Sequence, residues 1–267
     1  MVPPGNHAAT EKTNINLYHS ENPVYSPKVG PASISDFRST NFNSKEVTMH
    51  AEWSKSDLID YKRAQRERLR VYSKADDVLY NMCKKWPNHG DYGATQAKVR
   101  VIGRVYAAGL ERKGKKDKSK GIYETVAELL YRNRTWIDGE FRILRRIKRL
   151  SKPACLKILE VYGRIVELLR KETKSKLNFR SFVSKYLHFH IPIVPIFDSQ
   201  SLGTINNPGW YPWKEFKGHT AIPMEKKYDP VYYRFVMQFL LYFSDLEEVT
   251  QNPSVKEADW YLIWSYE

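Results

Sequence analysis

The chain has 267 residues, enough for one large domain or two small ones, and 42% hydrophobic content suffices for a buried core. Lys and Arg number 44 against 30 Asp and Glu, a formal net charge of +14 that favours polyanionic partners, nucleic acid first. The two cysteines, Cys83 and Cys155, exclude a disulfide framework and a paired-cysteine metal centre, and no apolar run approaches the ~18 residues of a membrane span.

Residues 1–50 are rich in Asn, Ser, Pro and His without sustained periodicity, and are expected to form an irregular arm ahead of a helical domain at 51–267. This polar start has no apolar stretch of the secretory kind, so a cytoplasmic protein with reduced thiols is expected. A first helix is predicted from Trp53 to Lys85, capped by Ser54 or Ser56 and stopped by Pro87. A second starts near Thr95, with Val101, Ile102, Val105, Tyr106 and Leu110 on its apolar side and Arg100 and Arg104 one turn apart on the other.

Lys113 to Lys120 places five lysines in eight residues, an exposed loop by charge alone. Helices follow at 121–132, 137–150 and 152–171, the last with Leu156, Leu159, Tyr162, Ile165, Val166 and Leu169 at helical steps. Arg142, Arg145, Arg146, Lys148, Arg149 and Lys152 form a basic cluster that is either a solvated face or a DNA contact.

Between Asn178 and His190 a two-sided helix is expected. Phe179, Val183, Tyr186 and Leu187 form its apolar face, and Ser181, Ser184, Lys185 and His188 lie at i, i+3, i+4 and i+7 along a polar stripe. The following IPIVPIFDSQ is pinned extended by Pro192 and Pro195 and crosses the core to deliver Asp198, placed to cap a new helix. A patternless stretch then reaches to about 227, and helices at 232–246 and 255–266 close the chain. No segment shows convincing strand alternation, so the expected fold is all-α, with room only for a small strand pair near a terminus.

Residues 181–198, SFVSKYLHFHIPIVPIFD, resemble the end of the helix-hairpin-helix DNA glycosylase core, where a helix precedes a Val-Pro crossing and an essential aspartate. With IGRVYAAGLERK (Ile102 to Lys113) and the closing EADWYLIWSY, they are similar to a family of bacterial proteins of the 8-oxoguanine-glycosylase fold, over roughly residues 95–267. The resemblance implies an all-α helix-hairpin-helix domain that removes a modified base from double-stranded DNA. It extends to antiphage enzymes that excise glucosylated hydroxymethylcytosine from viral DNA.

On that resemblance Asp198 is the catalytic carboxylate. Lys185 is a second candidate, although it lies nearer the aspartate than the family's Schiff-base lysine, so a monofunctional enzyme is expected. The family's Gly-x-Gly hairpin is missing: the turn reads ETKSKLNFR, and Lys174, Lys176 and Arg180 would grip phosphate in its place. Arg100, Arg104, Arg112, Ser181, Ser184 and His188 complete the expected DNA-binding set. Tyr106, Trp210, Tyr211 and Trp213 are candidates for stacking on an extruded base. No metal or other cofactor is expected, and the protein is expected to act as a monomer, away from membranes. The rival readings are a non-catalytic DNA-binding module on the same scaffold and a metal-dependent nuclease. The nuclease is disfavoured, since Glu124, Glu128, Asp138 and Glu140 lack convincing ligand spacing.

Overall fold

The first helix, α1 (Lys55–Lys85), begins where its capping chemistry dictates. Ser54 accepts the Asp57 amide, and the Asp57 side chain returns to the Ser54 amide. The helix ends at Trp86, because Pro87 forbids helical geometry in the residue before it. Lys98 of α2 (Tyr92–Val105) then donates to the carbonyls of Trp86 and Asn88, at 2.8 and 3.0 Å. Burial pushes its ammonium down to about 8, so the joint between α1 and α2 is an interior polar one.

The computed structural model describes residues 53–105, 110, 121–173, 179–208, 210–213 and 223–266, all within one compact unit, Glu46–Glu267. Every regular element among them is helical, and the fold is all-α. The expected arm at 1–50 and the lysine-rich loop at 113–120 lie outside the described residues.

After α2 come α3 (Ile122–Arg132), α4 (Arg134–Leu144) and α5 (Lys152–Thr173), then α6 (Arg180–His190), α7 (Ser199–Ile205), α8 (Pro230–Val249) and α9 (Val255–Trp264). Helix α5 is central, packing against α3, α4, α6 and α8. Its Gly163 is required by a close approach: a Cβ there would sit 2.4 Å from the Lys227 carbonyl oxygen. Helix α6 packs against α1, α2 and α5, and α9 closes over α1, α7 and α8. The core is unusually aromatic where α8 meets α5, with the Tyr162 and Tyr232 rings stacked at 3.7 Å between centroids.

Three differences from the sequence expectation have local causes. Helix α4 runs over 134–144 rather than 137–150, because Arg146 and Ile147 take tight turn hydrogen bonds to Ile143 and Leu144 and the chain leaves the helix. The helix that the Asp198 cap predicts does form, but it lasts only seven residues, too short to show periodicity within the patternless stretch. Helix α6 has no solvated polar side: Phe182 to His190 are all buried, so the Ser184–Lys185–His188 stripe faces the interior.

Candidate active site

Ser184, Lys185 and His188, polar side chains buried on α6, each find an internal partner. Ser184 donates to the Ser181 carbonyl and accepts the Phe197 amide at 3.0 Å, which ties α6 to the strand-like approach to α7. His188 donates from Nδ1 to the Val194 carbonyl at 2.8 Å and accepts the Tyr80 hydroxyl at Nε2. Burial and the nearby Lys256 charge push its pKa down to about 3, so the ring is neutral and structural.

Lys185 is the exception, since its partner is a charge. Its Nζ lies 2.8 Å from Asp198 Oδ2, with the lysine side chain 5% and the aspartate side chain 22% exposed. Asp198 is the N-cap of α7, and its other oxygen accepts the Gln200 amide at 3.0 Å. The Pro-pinned segment brings it there: Ile191, Val194 and Ile196 are buried, and the Pro195 carbonyl accepts the Tyr232 hydroxyl at 2.8 Å. Burial raises the Asp198 pKa, but the Lys185 charge and hydrogen bond, the Gln200 amide and the more distant Lys256 outweigh it and hold it below the usual range. The site therefore presents an ionised carboxylate that is partly open to solvent, braced from within by a buried cation.

Around this pair lies a second polar layer that sequence reasoning missed. Asp259 of α9 is buried and accepts the Ser201 hydroxyl of α7 at 2.9 Å. Burial raises its pKa to about 6, Lys256 opposes the shift, and the charge of Asp198 adds to it. Lys256 stands 3.7 Å from both Asp259 and Asp76, and burial raises Asp76 as well. Helices α1, α6, α7 and α9 thus meet in one network of two lysines and three carboxylates. Asp259 and Lys256 belong to the EADWYLIWSY segment and its preceding residue, where apolar neighbours made the segment read as core.

Lys256 also forms a wall of a cleft of about 680 Å³ between α1, the Pro192 turn and α9. Its ammonium lies 5.9 Å from the Phe189 ring centre and 5.7 Å from that of Trp260. Tyr80, Cys83, Arg145 and His190 line the same cleft. His190 has no hydrogen-bond partner at either ring nitrogen among the described residues, and burial holds its pKa well below the ordinary histidine value.

The remaining candidates are dispersed. Arg100 is exposed and pairs with Glu124 of α3, and Arg104 is exposed in the last turn of α2. Arg180 donates from Nε to Asp229, the N-cap of α8, at 2.8 Å, so its guanidinium joins α6 to α8. Ser181 is half-buried, and its carbonyl serves Ser184. Tyr211 is buried with its hydroxyl on Asp245 at 2.5 Å, and its carbonyl accepts Gln238. Trp210 packs against Tyr242 and Tyr261, and Trp213 against Tyr233. These three aromatics pack on the α8–α9 side of the core, and none lines the cleft. Tyr106, Arg112, Lys174 and Lys176 lie outside the described residues. Both cysteines are free and buried. Among the described residues no helix is long and apolar enough to cross a membrane.

No family model matches the chain, and no curated protein or solved structure matches it.

Proposed function

We propose that the protein is a DNA glycosylase that cleaves the N-glycosidic bond of a modified base and leaves an abasic site. The observation that carries the reading is the Lys185–Asp198 pair: a carboxylate held ionised at a helix cap, 2.8 Å from a buried lysine and still reachable from solvent. Cleaving an N-glycosidic bond develops positive charge on the sugar, and a fixed carboxylate stabilises that charge most where bulk water is excluded. Asp198 fills this role and also orients the attacking water. Lys185 holds the carboxylate in place through the ion pair, which favours hydrolysis over imine formation.

The aromatic cleft supports the same reading. A base must leave the duplex stack to reach such a carboxylate. Tyr80, which is partly exposed, and the edges of the buried Phe189 and Trp260 line the cleft, and Lys256 joins the cleft to the Asp198 network. These groups take the base-binding role ahead of Trp210, Tyr211 and Trp213. The substrates proposed are modified double-stranded DNAs, hypermodified phage DNA among them.

The test is base release from unmodified and hypermodified phage DNA, read as abasic sites by alkaline cleavage. Wild-type protein yields abasic sites on a modified substrate, with EDTA present, and Asp198→Asn does not. Salt-sensitive DNA binding without abasic product on any substrate supports a non-catalytic DNA-binding module instead.

A further inference from the structure

A second groove, of about 570 Å³, adjoins the aromatic cleft and shares Pro192 and Ser254 with it. One wall is the α4–α5 connection, which carries Lys148 and Arg149, and the other is formed by the end of α8 and the turn into α9. The basic wall is built by an alternation. Leu150 is buried and Ile147 packs against the core, which leaves Arg146, Lys148 and Arg149 directed outward and exposed. At the opposite end, Arg145 is anchored by the carbonyl of Pro87 and lines the aromatic cleft.

The pairing of these cations differs from that of the neighbouring helix face. On α5, Lys157 and Arg164 share the Glu140 carboxylate, and Lys157 also lies 3.6 Å from Glu160. In the connection, Arg149 pairs with Glu247 at 3.0 Å, whereas Arg146 and Lys148 have no carboxylate in ion-pair reach among the described residues. Arg142 and Lys152 flank them, exposed and equally without an acidic partner there. Lys148 thus stands on the groove wall beside the Arg149–Glu247 pair, with the unpaired cations Arg142, Arg146 and Lys152 exposed nearby in the chain. Such like charges repel one another, and a line of phosphates relieves that repulsion by displacing counterions.

We infer that this groove carries the sugar-phosphate backbone of a DNA strand, with Lys148 on its wall and the exposed Arg146 two residues before it as phosphate contacts, and delivers the strand to the mouth of the aromatic cleft. The inference rests on the glycosylase reading and deepens it. It assigns the phosphate grip to the α4–α5 connection, where the sequence has no glycine hairpin before α6 to provide one.

The experiment measures binding of a fluorescein-labelled DNA duplex by anisotropy across a salt series. It uses the full chain, the charge-reversed R146E/K148E variant and an equally charge-reversed control, R170E/K171E, at the exposed end of α5. R146E/K148E is expected to weaken binding ~tenfold or more and to lower the slope of log affinity against log salt by about 2, with the control much less affected. Circular dichroism confirms that both variants are folded, and a single reversal, K148E, gives the same direction of change if the pair disturbs the turn. Equal losses in both variants, an unchanged R146E/K148E, or no salt-sensitive binding by the wild type overturns the groove assignment. A same-sequence RNA duplex held more tightly through the same residues overturns its assignment to DNA. Abasic product that persists while the groove variant binds normally overturns the groove alone. Groove-dependent binding with no abasic product overturns the glycosylase reading alone.

Discussion

Replacing Lys185 by Met removes the cation but keeps most of the buried stem, so the outcome isolates the ion pair with Asp198. In the wild type, burial acts to raise the Asp198 pKa, and Lys185 is the largest influence against it. Without the lysine, the carboxylate is left 22% exposed with only the Gln200 amide and the more distant Lys256 to hold its charge. Breaking a buried pair by deleting one partner costs about 3–5 kcal/mol, and the partial exposure of Asp198 puts the expected loss at the lower end, about 3 kcal/mol at pH 7.

The sign of the pH dependence follows. A carboxylate with a depressed folded pKa contributes stability above its unfolded value and loses it as pH falls through the folded value. In Lys185→Met the depression is removed, so the deficit relative to wild type shrinks as pH falls below the ordinary aspartate range. The double variant K185M/D198N, which leaves no lone charge, should recover most of the loss at pH 7. Urea denaturation at pH 7 and below, across the four proteins of the cycle, measures all three quantities. A loss under about 1 kcal/mol at pH 7, or a double variant no better than K185M, would refute the view that this pair is buried and strongly coupled.

Two further substitutions probe the frame around the site. His188 titrates near 6.5 when unfolded but about 3 when folded, so the unfolded chain takes up the proton first and stability falls as pH drops below 6.5. By pH 5 this histidine alone accounts for about 2 kcal/mol, and His188→Gln should flatten the stability-against-pH curve by that amount in urea titrations. An unchanged slope would mean that His188 is hydrated. Gly163→Ala should destabilise by about 1–3 kcal/mol and lower the melting temperature, because the new methyl meets the rigid Lys227 carbonyl. A neutral result would show that the approach of residue 227 to α5 is loose.

Much of the helical frame was legible because its signals are local. A serine cap at Ser54 or Ser56, Pro87 and the spacing of Leu159, Tyr162, Val166 and Leu169 fix α1 and α5 to within a few residues. Asp198 was legible as a cap because the prolines before it restrict the chain, and its neighbours decide only the capping geometry. The inward turn of the α6 stripe was not legible. Periodicity separates two faces but does not say that both are covered, and here α1, α2 and α5 cover them. Asp259 and Lys256 stayed hidden for a different reason: their significance comes from Ser201, Asp76 and Asp198, which are distant in sequence and adjacent only after folding.

The central claim is that the Asp198 carboxylate does chemistry on DNA. Release of base from hypermodified phage DNA by wild-type and Asp198→Asn protein, with folding checked by circular dichroism, tests it most directly. Abasic sites from the wild type, and a rate lowered by about a hundredfold or more in the variant, are the predicted result for a carboxylate facing the developing sugar charge. Release by Asp198→Asn at the wild-type rate would contradict it.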